Sequence, residues 1–292
     1  MIINKTSYKD IDGILLKNEY IEVIVLPTEG SKLASIKNNK GFEFLYQNPS
    51  LEYKKLSLLD DYALRECSGY DDLFPTIDPD IYNGIKYPDH GEVARLSFNY
   101  EIKNNKLFLY TKSLLFNYTY KKVISLENNK IVIEYEIINN DNKKLYCLWA
   151  MHSLLNSSNE TNIIIENNTP LYLMFDKENE KGNPGDYIDN NGVIYIDRSI
   201  KNCYKYYYQN KNGRIIYNYD KNNSLSFYFD KDILKETGIW INNGSFNDFY
   251  CVGIEPATLG YDSLSNAKKF NQEFYIEPND KLLFTIEIEV NN

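Results

Sequence analysis

Apolar and polar residues alternate with a period of two in segment after segment of this chain, as in "YIEVIVLP" (20–27), "KIVIEYEII" (130–138), "RIIYNYD" (214–220), "SLSFYFD" (224–230) and "LLFTIEIEV" (282–290). That period sends successive side chains to opposite faces of a pleated strand and does not fit a helix. Tyr and Phe supply most of the 15% aromatic content and, with Ile and Val, favour strands. Asn-rich stretches such as "KNNKL" (103–107) and "ENNKI" (127–131) have the composition of hairpin tips. Residues 93–151 predict a meander of about five strands at the spacing typical of sandwiches. Helical periodicity is confined to "YKKLSLLDDYALREC" (53–67), where Leu56, Leu59, Tyr62 and Ala63 share a face. No Pro/Ser-rich linker divides the chain and no fixed-period repeat runs through it. The longest turn-rich stretch, "ENEKGNPGDYIDNNG" (178–192), fits a functional loop or a disordered tip. The expectation is an all-β fold, one large antiparallel β-sandwich domain over residues 1–292, because the strands outnumber what a small sandwich holds.

Composition narrows the function. A net charge of −9 over 292 residues, with lysines scattered singly or in pairs and mostly beside Asn in turns, argues against nucleic acid, which requires clustered Lys and Arg. A neutral or cationic ligand suits this balance better. No stretch approaches the length of a membrane span, and "MIINKTSYKD" has no apolar run behind a basic head, so neither membrane insertion nor a signal peptide is expected. The four cysteines, Cys67, Cys147, Cys203 and Cys251, form no C-x-x-C pair and are expected to be reduced, buried thiols. A cytoplasmic protein, monomeric or homodimeric, is the expectation.

Three places break the pattern of alternating strand and plain turn. "SGYDDLFPTIDPD" (68–80) leads into "YPDHGEVAR" (87–95), where turn-forming residues, acidic groups and the aromatics Tyr70 and Phe74 fit a loop that holds polar side chains over a cavity. A solvated acidic loop is the plainer account of any single aspartate here. His90 lies between Pro88 and Gly91, with Asp89 and Glu92 available to orient its imidazole. His152 ends the apolar run "LYCLWAM" (145–151); it is either a satisfied core residue or a functional group, with Asn156 in reach as its partner. Glu255 follows the uncharged "CVGI" and precedes Pro256. A carboxylate ending a buried strand is paired with a cation or put to use, and burial raises its pKa towards the range of a base catalyst. Two histidines and a semi-buried glutamate make an acid–base set without a nucleophile. No G-x-S-x-G elbow, zinc-type H-E-x-x-H spacing or Gly-rich phosphate loop accompanies them.

"GYDDLFPTI" with "PDHGEV", then "MHSLLN", then "VGIEPAT" resemble, in that order, the segments of the aldose 1-epimerase (galactose mutarotase-like) family that carry its first histidine, second histidine and glutamate. "VLPTEGSKLASI" (25–36) resembles the opening strand pair, and the similarity spans nearly the whole chain. The resemblance implies the family's β-supersandwich with its site in a cleft on the concave sheet, and interconversion of the α and β anomers of a free aldose without a cofactor. It implies His152 as the acid that protonates the ring oxygen, Glu255 as the base that takes the anomeric hydroxyl proton, and His90 as a sugar ligand. Asp71 and Asp72 are expected to accept sugar hydroxyls, and Tyr70 and Trp240 to pack on the ring's apolar face. "GYDDLFP" stands where members acting on free galactose usually carry an Asn-Arg pair, which leaves Arg65 or Arg95 as substitutes. Leu154 and Leu155 stand where aromatics commonly follow the second histidine. Two alternatives remain: a carbohydrate-binding protein without turnover, and a mutarotase for a modified or phosphorylated sugar, which requires Arg or Lys converging on the cleft.

Overall fold

The computed structural model describes residues 1–55, 57–58, 60–166 and 168–291. Among them, two antiparallel sheets account for nearly all the regular structure. The larger, of eleven strands, has at its centre Lys32–Asn38, Tyr70–Leu73, Ala150–Asn156, Tyr250–Ala257, Glu236–Asn243 and Cys203–Gln209, in that spatial order. The other, of nine strands, contains the meander Asn99–Lys103, Lys106–Lys112, Tyr118–Glu127 and Lys130–Asn139, followed in space by Lys281–Asn291 and Ser224–Phe229. The all-β antiparallel architecture expected from period-two alternation is the one observed.

The meander holds four strands in one sheet rather than five, because the chain leaves it after Asn139 and re-enters the larger sheet at Ala150. Its hairpin tips have the backbone that Asn favours: Asn104, Asn105 and Asn128 take φ of 50°, 57° and 53°. The helix expected over 53–67 reduces to a single 3₁₀ turn, Tyr62–Leu64, capped by the Asp61 carboxylate accepting from the Ala63 amide; Leu56 and Leu59 lie outside the described residues. A short α-helix that periodicity did not point to, Leu264–Lys269, follows the N-cap Ser263. The turn-rich stretch from 178 to 192 contains the short edge strand Tyr187–Ile188.

The core lies between the sheets. Tyr70, Met151, Leu155, Val252, Ile254, Ile239, Ile241 and Tyr206 from the larger sheet meet Tyr120, Ile124, Ile133, Tyr135, Phe227 and Ile286 from the other. Each of these larger-sheet residues points to the same face, so strict alternation sends their chain neighbours to the opposite, open face. That places His152, Glu255, Lys205 and Trp240 together on the open face, and a cavity of about 490 Å³ stands over it. All four cysteines are free and buried.

Candidate active site

The floor of the cavity comes from three neighbouring strand pairs. Glu255 lies directly across from Gly238, and Lys205 across from Trp240. The 150–156 strand, antiparallel to the Glu255 strand on its other side, contributes His152. A Cβ on Gly238 would stand 2.9 Å from Lys205 Cε and 3.2 Å from Glu255 Oε2, so this glycine leaves the space that the two side chains fill. His152 Nε2 is 3.8 Å from Glu255 Oε1. On its other oxygen, Glu255 accepts from Lys205 Nζ at 2.6 Å, and the same ammonium bonds Asp262 Oδ1 at 2.6 Å. Tyr207 donates to that Asp262 oxygen at 2.6 Å.

His90 enters from a loop that folds over the floor. It takes φ of 53° and is followed by Gly91 at 62°, where a Cβ would lie 2.1 Å from the Phe74 carbonyl oxygen. Only glycine fits that position. The His90 ring stacks on Tyr62 at 4.1 Å between centroids and meets His152 edge-on at 5.9 Å. Asp89 holds the imidazole through Nδ1 at 2.8 Å and accepts from the Tyr62 amide at 2.6 Å. Glu92, which the sequence also offered for this task, turns away to the amides of Leu114 and Leu115 at 3.0 and 3.1 Å. Arg95 pins the loop by donating to the carbonyls of Asp89 and Gly91, both at 2.7 Å.

Burial sets the proton affinities. It pushes the Glu255 carboxyl above its ordinary value despite the opposing Lys205. It drives His152 well below its own, helped by the nearby His90 and Lys205. Asp78, in the cavity wall, is pushed up to about 6 by burial and by Asp262 beside it. The lining also has an aromatic and apolar part, with Trp240, Phe175, Phe246 and Phe249. Pro184, from the turn-rich stretch, reaches the rim beside Asp176 and Lys177.

The structure thus brings together His90, His152, Glu255 and Trp240, and it separates the other expected ligands from the cavity. Tyr70 and Asp72 point into the space between the sheets, since both sit one position away from Asp71 in the strand Tyr70–Leu73. Tyr70 bonds Tyr135 at 2.5 Å, and Asp72 pairs with Lys122 Nζ at 3.0 Å and Tyr135 at 2.9 Å. Asp71 shares the face of His152 but is covered: Tyr62 lies over it and donates to it at 2.6 Å, and Lys32 pairs with it at 2.6 Å. Although burial works the other way, Lys32 and Arg65 hold the Asp71 carboxyl below its usual range. The "GYDD" segment is therefore a buried strand whose acids have cation partners, not a sugar-facing loop. Asn156 donates to the carbonyls of Glu43 and Leu45 at 3.0 and 3.1 Å rather than to His152. Arg65 donates to the Ala94 carbonyl and does not line the cavity; neither does Arg95.

Sequence reasoning missed Lys205, Asp262 and Asp78. The signal for Lys205 was present in "CYKYYYQ", where a lone lysine interrupts an aromatic strand; such a residue is buried only when paired. Asp262 had no comparable signal, because it belongs to a turn whose path depends on the tertiary fold.

Compared by sequence, the chain matches no protein-family profile and no curated protein at a significant level. Compared by structure, it superposes along almost its full length on solved mutarotase-like proteins. A galactose mutarotase related enzyme from Lactobacillus acidophilus gives a TM-score of 0.73 at 14% identity over 96% of this chain and 97% of that one. A galactose mutarotase-like protein from Lactobacillus casei gives 0.71 at 14% identity over 96% and 100%. Another from Clostridium acetobutylicum gives 0.70 at 13% over 100% and 98%. The chain has the galactose mutarotase-like fold.

Proposed function

We propose that this protein is an aldose 1-epimerase, interconverting the α and β anomers of a free aldose with Glu255 as base and His152 as acid. The observation that carries this reading is the approach of His152 Nε2 and Glu255 Oε1 to 3.8 Å on a cavity floor faced by His90. Anomerisation begins when the Glu255 carboxylate takes the proton of the anomeric hydroxyl. The electron pair left on that oxygen forms the carbonyl, the bond from the anomeric carbon to the ring oxygen breaks, and the ring oxygen takes the proton of His152. After rotation about the bond next to the carbonyl carbon, closure on the other face returns the first proton to the anomeric oxygen and the second to His152. Protons and electrons balance within the pair, so no cofactor is required. The two oxygens share one carbon, which suits an acid and a base only a few ångströms apart.

Both lysines that line the cavity are already engaged: Lys205 by two carboxylates, Lys177 by the Ser245 carbonyl at 2.5 Å. A phosphorylated sugar therefore finds no cation ready for it, and the acids in the wall oppose it. An unphosphorylated sugar, with its apolar face against Trp240, fits the lining better. Polarimetry of freshly dissolved α-anomers across a panel of sugars and sugar phosphates tests the reading. It expects faster equilibration for at least one neutral aldose and none for phosphorylated counterparts. A sugar that binds without faster equilibration leaves the protein a carbohydrate binder.

A further inference from the structure

The base of the proposed reaction does not stand free in its cavity. Lys205 extends across the open face between Cys203 and Tyr207, and its ammonium reaches Glu255 and Asp262 at equal distances of 2.6 Å. Asp262 is fixed in turn by Tyr207. Lys205, Glu255 and Asp262 are all buried, so none can exchange its partner for water without a large cost. The opposed Gly238 is what allows the lysine stem and the carboxylate to lie side by side. An ammonium whose charge is compensated by two carboxylates is neither a nucleophile nor a free anchor for a phosphate. We propose that Lys205 is a positioning residue that fixes the direction of the Glu255 carboxylate and keeps it ionised, with Asp262 and Tyr207 as the anchor that holds Lys205.

The inference rests on the role of Glu255 in the proposed function, but its electrostatic content stands on this cluster alone. Glu255 is faced by Lys205 and Tyr207 from one strand, His152 from another, Asp262 from the turn after its own strand, and His90 and Asp78 from the covering loop. Removing the positive charge of Lys205 favours the protonated forms of Glu255 and His152. Removing the negative charge of Asp262 favours the ionised carboxylate. The two changes push in opposite directions, which a purely structural role for either residue does not produce.

The test compares the parent with Lys205→Met and Asp262→Asn, reading the pH dependence of kcat/KM and the titration of Glu255 by NMR of ¹³C-carboxyl-labelled glutamate. In Lys205→Met both limbs of the profile are expected to move to higher pH, by about one pKa unit, which lowers activity on the acid side of the optimum. In Asp262→Asn the limbs move to lower pH. Unmoved limbs in both variants, in a parent that does equilibrate anomers, overturn the clamp and leave the proposed function standing. If the parent equilibrates no sugar, the functional reading falls and the NMR titration decides the clamp: a Glu255 signal that titrates in Lys205→Met at the parent's pH overturns it, and an upward move supports it. Should Lys205→Met fail to fold, the near-isosteric Asp262→Asn carries the same decision through its downward shift.

Discussion

Lys122 carries its ammonium into the space between the sheets, where Asp72 and the faces of Tyr70 and Tyr135 receive it. Asp72 is consequently a structural partner, and removing it strands a buried cation. Asp72→Ala is predicted to cost about 3–5 kcal/mol of stability, read from denaturant unfolding, with little change in sugar affinity among molecules that remain folded. Lost affinity at unchanged stability would return Asp72 to the binding site. The same logic covers Lys32 with Asp71. Lys32, Lys122 and Lys205 all lie within strands, and each has an acid as its partner. His90, His152 and Glu255 stood out in the sequence because nothing in strand chemistry calls for them. The acids of "GYDD" misled because turn-forming neighbours disguised a strand, and their lysine partners are 39 and 50 residues away.

At the scale of elements, alternation decides which face each strand side chain takes. In "AMHSLLN", Met151 and Leu155 fill the core and His152 takes the open face; in "YCVGIEPA", Val252 and Ile254 fill the core and Glu255 takes the open face. This much of the site was legible once the strands were recognised. The segment from 53 to 67 was not, because tertiary contacts override its local pattern: Tyr62 is held by Asp71, Asp89 and the His90 ring. Gly238 links strand geometry to chemistry. Gly238→Ala is predicted to push Lys205 and Glu255 apart, lowering turnover by up to roughly 10²-fold, the scale of ångström-level misplacement. Its stability should fall too, by about 1–3 kcal/mol, as for an overpacked buried site. Parent-like turnover would show that the close approach has no bearing on the chemistry.

Across the whole molecule, the fold gathers groups from distant segments onto one face and leaves the opposite face to close the core against the second sheet. The competent form of the pair carries one proton, held by His152 while Glu255 is ionised, and its population follows the titration of the pair as a whole. A bell-shaped kcat/KM profile is therefore predicted. It falls on the acid side as the pair takes a second proton and on the alkaline side as it loses its last. Burial lowers the affinity of His152 and raises that of Glu255, so the acid limb should lie below the value of about 6.5 for a free histidine. A sigmoidal profile with a single limb would mean that only one of the two groups takes part.

The central claim is that Glu255 moves a proton, and Glu255→Gln tests it most directly, since the amide keeps the shape but accepts no proton at neutral pH. Polarimetric equilibration of the best neutral aldose should slow by roughly 10²–10⁴ in this variant, while calorimetric affinity for the same sugar changes far less. Equilibration at the parent rate would contradict the assignment of Glu255 as the base.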